Sequence, residues 1–113
     1  MDPLDDALRA IAEPRRRAIL QLVTSTELAA GEIAAAFDGV TRTAISQHLT
    51  VLKGAGLVDE RRSGTRRLYR TRPEGLARVR EYLDGMWGAA LAEARELVEA
   101  ETRHQVGRHA DAS

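Results

Sequence analysis

The stretch RRSGTRRLYR, residues 61–70, holds five arginines in ten positions with no acid among them. Guanidinium groups at that density are chemistry for an anion, because each presents planar N–H donors that match the oxygen pair of a phosphate or a carboxylate. Just upstream, residues 41–56 read TRTAISQHLTVLKGAG. On a helix at about 100° per residue, Ala44, Ile45, His48, Leu49, Val51, Leu52 and Ala55 gather on one side. Thr43, Ser46, Gln47, Thr50 and Lys53 gather on the other, with Arg42 near the start. An exposed helix face is ordinarily filled by Glu, Lys and Arg. Short uncharged donors and acceptors suit base edges and phosphates at close range in a DNA major groove. The candidate DNA-binding residues are therefore Arg42, Thr43, Ser46, Gln47, Thr50 and Lys53 on the helix, and Arg61, Arg62, Arg66 and Arg67 after it. The plainer alternative for both stretches is a solvated polar face. His48 falls on the apolar side, where hydrogen-bonded packing is favoured over a DNA contact.

The charge distribution bears on that choice. The formal net charge is zero, from 17 bases and 17 acids, but the signs are segregated. Residues 1–41 sum to −3, residues 42–80 to +7 and residues 81–113 to −4. A strongly positive middle segment is the footprint of a surface that meets phosphate, and the overall balance conceals it.

Composition narrows the classes further. A chain of 113 residues, 43% apolar, fits one domain with a modest core. With no cysteine, disulfide frameworks, thiol switches and thiolate metal sites are excluded. The acidic start Met1-Asp2-Pro3-Leu4-Asp5-Asp6 is unlike a secretory leader, and no run of about 18 apolar residues occurs, so a cytoplasmic protein without a membrane partner is expected. No enzyme is expected. Ser46 and His48 at i and i+2 of a helix point to different sides and cannot pair as nucleophile and base. No glycine-rich phosphate loop, paired-carboxylate motif or metal triad is present, and no cofactor is implied.

The elements that must position these residues follow from the hydrophobic pattern and its breaks. Leu4, Leu8 and Ile11 have helical spacing, and Glu13-Pro14 restarts the chain, predicting helices over 4–11 and 14–24. A third helix is predicted from just after Thr26 to about Phe37, with Ile33 and Phe37 inward. Thr41 is the expected N-cap of the fourth helix, and Gly54 and Gly56 its stop. A strand opening at Leu57-Val58, a turn at Ser63-Gly64-Thr65 and a return through Arg67–Arg70 form a hairpin. The fold class is thus mainly α with a small β-hairpin, a winged helix-turn-helix, in which the second helix of the pair enters the groove and the hairpin lies on the neighbouring backbone.

LRAIAEPRRRAILQLV, ELAAGEIAAAF, TAISQHLTVLKGAGLV and RRSGTRRLYR, in that order and spacing, resemble the ArsR/SmtB family of bacterial transcriptional regulators over about residues 4–98. The resemblance implies a homodimeric, autoregulating repressor released from a pseudo-palindromic operator by an inducer. Family members that sense metal through the third helix carry cysteines where this chain has Glu27-Leu28-Ala29-Ala30-Gly31-Glu32-Ile33. That site is therefore absent, and the family's second site, built from Asp and His on the last helix, lacks a histidine before His104. A small-molecule inducer, a metal bound by His and carboxylates, or no ligand remain. His104 and His109 with Glu101 are a weak metal alternative; the plainer expectation for residues 104–113 is a flexible tail.

A long last helix, about 74–101, completes a domain expected over residues 1–103. Leu76, Val79, Leu83, Met86, Trp87, Ala90, Leu91, Ala94, Leu97 and Val98 form its apolar stripe, and Gly85, Gly88, Ala89 and Ala92 a second stripe of small residues. A helix with two such sides suits contact with its own domain and with a partner chain. A dimer through the terminal helices, using Leu4, Leu8, Leu83, Trp87, Gly88 and Leu91, is expected. The competing function class is a winged helix used as a protein- or RNA-contact module, against which the shortage of aromatic stacking residues argues.

Overall fold

A computed structural model describes residues 2–112, with side chains through residue 105. In chain order the elements are α1 (Pro3–Ile11), α2 (Pro14–Ser25), α3 (Ala30–Ala35), α4 (Arg42–Gly54), β1 (Val58–Ser63), β2 (Arg66–Thr71) and α5 (Pro73–Ala112). The chain divides into two compact units, Met1–Val79 and Arg80–Ser113.

Local chemistry sets the boundaries of the first unit. The Asp2 carboxylate accepts from the Leu4 N–H at 3.0 Å, Pro3 occupies the first helical position, and Asp5 and Asp6 face the positive end of the α1 dipole. At the other end of α1, Arg16 Nε donates to the Ala10 carbonyl and Arg17 to that of Ile11, each at 2.6 Å. Two arginines of α2 thus satisfy carbonyls that the end of α1 leaves unpaired. Thr41 caps α4 as expected, its hydroxyl accepting from the Ala44 N–H at 3.0 Å.

The third helix departs from expectation. It ends at Ala35 and begins only at Ala30, because Leu28 is extended and exchanges backbone hydrogen bonds with Tyr69 of β2, at 3.1 and 2.9 Å. Ile33 is buried as anticipated, whereas Phe37 lies beyond the helix, half-buried beneath the Arg15 guanidinium at 4.9 Å.

The hairpin has the expected place and a two-residue turn. Val58 pairs with Thr71 and Ser63 with Arg66, and only Gly64 of the turn pair has positive φ (65°), as a type II′ turn requires. Thr71 ties β2 to α2: its hydroxyl donates to the Leu20 carbonyl at 2.8 Å and sits 3.1 Å from that of Thr24.

Ala7, Ala10, Ile19, Leu20, Val23, Ile33, Ile45, Leu49, Leu52, Leu57 and Val58 form the core of the first unit. It draws on every element from α1 to β1, which fixes α4 against α1, α2 and α3. Gly75, in the first turn of α5, is buried, and a Cβ there would collide with the Gly56 carbonyl oxygen. Only glycine fits. Val51, placed by the helical wheel with the apolar set, is 44% exposed, because it lies at the edge of the apolar arc.

In the second unit α5 continues to Ala112, past the boundary near residue 101 expected from the sequence. No proline interrupts residues 102–112, and a single glycine, Gly107, is tolerated in a helix. Of the expected flexible tail, the side chains of 106–113, with His109, lie outside the described residues. Met86, Trp87, Leu91, Leu97 and Val98 are exposed, while Tyr82, Leu83 and Gly88 are half-buried and the Tyr82 and Trp87 rings meet edge to face. Nothing described lies within 4 Å of a Cβ built at Gly85 or Gly88. In the first unit, Leu4 and Leu8 are half-buried.

Candidate nucleic-acid interface

The α4 face is built by the register of its buried side. With Ile45, Leu49 and Leu52 in the core, Arg42, Thr43, Ser46, Gln47, Thr50 and Lys53 are all driven outward and are exposed. Thr50 is the one whose hydroxyl is engaged within the helix, donating to the Ser46 carbonyl at 3.0 Å. His48 is half-buried, with Nε2 3.9 Å from a carboxylate oxygen of Glu13. That is ion-pair range and too long for a hydrogen bond. His48 packs, and Ser46 points elsewhere.

The hairpin carries the strongest electrostatics. In the ladder, Glu60 lies opposite Tyr69 and Arg62 opposite Arg67, so these four side chains share one face. Glu60 is the hub: one carboxylate oxygen meets Lys53 Nζ at 2.7 Å, the other accepts from the Tyr69 hydroxyl at 2.9 Å and lies 3.7 Å from Arg67. The Lys53 ammonium above all, then the Tyr69 hydroxyl, holds the Glu60 carboxyl below its ordinary range. Burial, and then the hydrogen bond to Glu60, raises Tyr69. Lys53 is thereby fixed at the junction of α4 and the hairpin. It does not stand free on the outward face of α4.

Two other arginines are also engaged. Arg61 Nε donates to Glu27 at 2.9 Å, and Arg66 pairs with Glu32. Arg42, Arg62 and Arg70 make no ion pair among the described residues. Arg62 is set directly opposite Arg67, a like-charge pair in which Glu60 offsets Arg67 and Arg62 has no acid of its own among the described residues. A cleft of about 590 Å³ opens between α3, the start of α4 and the hairpin, lined by Glu32, Arg42, Ser46, Arg66, Arg67 and Tyr69 among others.

The acids Glu27, Glu32 and Glu60 and the hydroxyl of Tyr69 were not legible as members of this surface. Glu27 and Glu32 stand 34 residues before the arginines they meet, and no local spacing signals such a pair. For the alternative site on α5, Glu101 and His104 are exposed, and among the described residues no group of three His, Cys, Asp or Glu is placed to hold a metal ion. No helix among the described residues is long and apolar enough to cross a membrane.

Comparison with known proteins agrees with this geometry. A family model described as a helix-turn-helix domain matches residues 11–61. The HTH-type transcriptional regulator Rv2034 of Mycobacterium tuberculosis (strain ATCC 25618 / H37Rv) is 45% identical over 97 residues, which are 86% of this chain and 90% of that protein. The transcriptional repressor SdpR of Bacillus subtilis (strain 168) is 36% identical over 61 residues, 54% of this chain and 67% of that one. Among solved structures, the NMR structure of the homodimeric winged helix-turn-helix DNA-binding domain (fragment 1–100) of Mb0332 from Mycobacterium bovis, described as a possible ArsR-family transcriptional regulator, superposes with a TM-score of 0.58. That pair is 34% identical, covering 84% of this chain and 81% of the other.

Proposed function

The chain belongs to the ArsR/SmtB family of winged helix-turn-helix transcriptional regulators, and from that premise we propose that it acts as a homodimeric repressor, with α4 reading bases and the hairpin gripping phosphate. The observation that carries the division of labour is the contrast in exposed chemistry. Thr43, Ser46, Gln47 and Thr50 are uncharged and outward on α4, while Arg62 and Arg67 oppose each other on the hairpin. The first set matches the donors and acceptors of base edges in the major groove. In the second, Glu60 offsets Arg67, but no acid among the described residues offsets Arg62, which is left for phosphate. Arg42, at the start of α4, lies between them and contacts backbone.

Dimerisation places two copies of α4 on one side of a duplex, with half-sites about 34–36 Å apart and a pseudo-palindromic operator. The exposed apolar side chains of α5, among them Trp87 and Leu91, with Leu83 and Gly88, supply one part of the interface, and Leu4 and Leu8 of α1 another. A small-molecule or metal inducer that alters the angle between protomers lowers operator affinity with a coupling of about 1–3 kcal/mol. Leu83→Arg is expected to yield a monomer in size-exclusion chromatography with light scattering; an intact dimer refutes this interface.

The test of function is fluorescence anisotropy on the DNA upstream of the chain's own gene and on a scrambled duplex, each at low and high salt. Preferential binding to the upstream DNA, weakening as salt rises, supports the repressor. Equal binding to both moves the operator elsewhere. No binding to either at low salt refutes the DNA reading and leaves a protein- or RNA-contact module.

A further inference from the structure

We propose that Glu32 is an internal competitor for DNA phosphate, occupying Arg66 in the free protein and so lowering its affinity for random duplex. The inference rests on the DNA-binding reading above and deepens it by naming what the phosphate must displace. Glu32 lines the cleft between α3, the start of α4 and the hairpin, together with Arg42, Ser46, Arg66, Arg67 and Tyr69. Arg67 and Tyr69 are already turned to Glu60, but Arg42, Ser46 and Arg66 supply guanidinium and hydroxyl donors of the kind that hold a phosphodiester oxygen, and Glu32 contributes the carboxylate among the six.

The carboxylate is held in place. Glu32 Oε1 accepts from the Ala29 N–H at 3.0 Å and pairs with Arg66. Leu28 is bonded to Tyr69 through both of its backbone groups, which fixes the segment bearing Glu32 against the edge of β2. Yet both members of the pair are about half exposed, at 48% and 55%. An exposed pair contributes little to stability, so stability is a weak reason for it, and a phosphate can reach the same guanidinium.

Random-duplex binding rests almost wholly on phosphate neutralisation. With Arg66 neutralised from within, that mode loses one contact. Removing the charge of Glu32 restores it.

The test uses Glu32→Gln in the full chain, because glutamine keeps the oxygen that accepts from Ala29 and is as well suited to that capping position. On the random duplex, Glu32→Gln is expected to bind about threefold tighter at low salt, with the log–log salt slope steeper by about 0.9, the signature of one added phosphate contact. The gain is expected to vanish in an Arg66→Ala background, and Glu93→Gln, an equal change in net charge on α5, is expected to give less than half of it. A Glu32→Gln protein no tighter than wild type, a gain that survives Arg66→Ala, or an equal gain from Glu93→Gln overturns the competitor. Wild-type protein that binds neither duplex at low salt overturns the DNA reading, and this inference with it; wild type that binds while Glu32→Gln is no tighter overturns this inference alone.

Discussion

The groove-facing side of α4 and the arginine hairpin are proposed to meet the same duplex, but the free protein keeps them in opposite conditions. Apart from the Thr50 hydroxyl, which donates back to Ser46, and Lys53, which is held by Glu60, the α4 face is uncommitted among the described residues. The hairpin is heavily committed: Arg61, Arg66 and Arg67 each face a carboxylate, from Glu27, Glu32 and Glu60. The physical difference is one of range. A neutral donor such as a Gln47 amide acts only at contact distance and costs nothing when left in water, whereas a cluster of guanidiniums repels itself and attracts any anion within about 10 Å. Uncharged groups can wait for a base; clustered charges need counter-charges while they wait.

The largest effect is expected where both surfaces depend on one contact. Gly75→Ala drives a Cβ into the Gly56 carbonyl, between the end of α4 and the start of β1, and the group it meets is backbone, which cannot swing aside as the end of a side chain can. A loss of about 3 kcal/mol, the upper end of overpacking costs, should appear as a melting temperature lower by more than about 10 °C. An unchanged melt would mean that the two regions are not locked together through this junction.

Gln47→Ala sharpens the comparison from the α4 side. The ratio of operator to random-duplex affinity should fall by about 1–3 kcal/mol with the random-duplex salt slope unchanged. A uniform loss on both duplexes would instead make Gln47 a backbone contact and dissolve the proposed division. Arg62→Ala tests the other side: about threefold weaker binding to every duplex at moderate salt, with the slope shallower by about 0.9. Altered discrimination between duplexes would move Arg62 into the base-reading set.

The smallest effect concerns acid. Because Lys53 and Tyr69 hold the Glu60 carboxyl below its ordinary value of 4.5, the pairing contributes fully above that value and is lost as pH falls through the lower, folded-state value. Glu60→Gln should therefore melt about 2 °C below wild type at pH 7, with the gap narrowing as pH falls below 4.5. A gap that persists in acid would show that Glu60 acts by shape and not by charge.

Which parts of this arrangement were legible beforehand depended on how far apart the interacting residues lie in the chain. The α4 partition, the Thr41 cap, the Pro14 restart and the Gly64 turn all rest on neighbours within a few positions, and the structure reproduces them. The α3 boundary failed because Leu28 answers to Tyr69, 41 positions away, and not to the helical pattern around it. Val51 failed for a milder reason: at the edge of an apolar arc, burial depends on what the neighbouring elements cover.

By itself the sequence determined the order of elements, the outward side of α4 and the density of positive charge on the hairpin, since each follows from local periodicity, capping or composition. Only the tertiary structure decided that three of the hairpin's arginines, Arg61, Arg66 and Arg67, already face carboxylates, that Lys53 is bound to Glu60 and that Gly75 must remain bare. Those facts depend on residues from different elements meeting in space, and one-dimensional spacing holds no record of such meetings once the chain has turned between them.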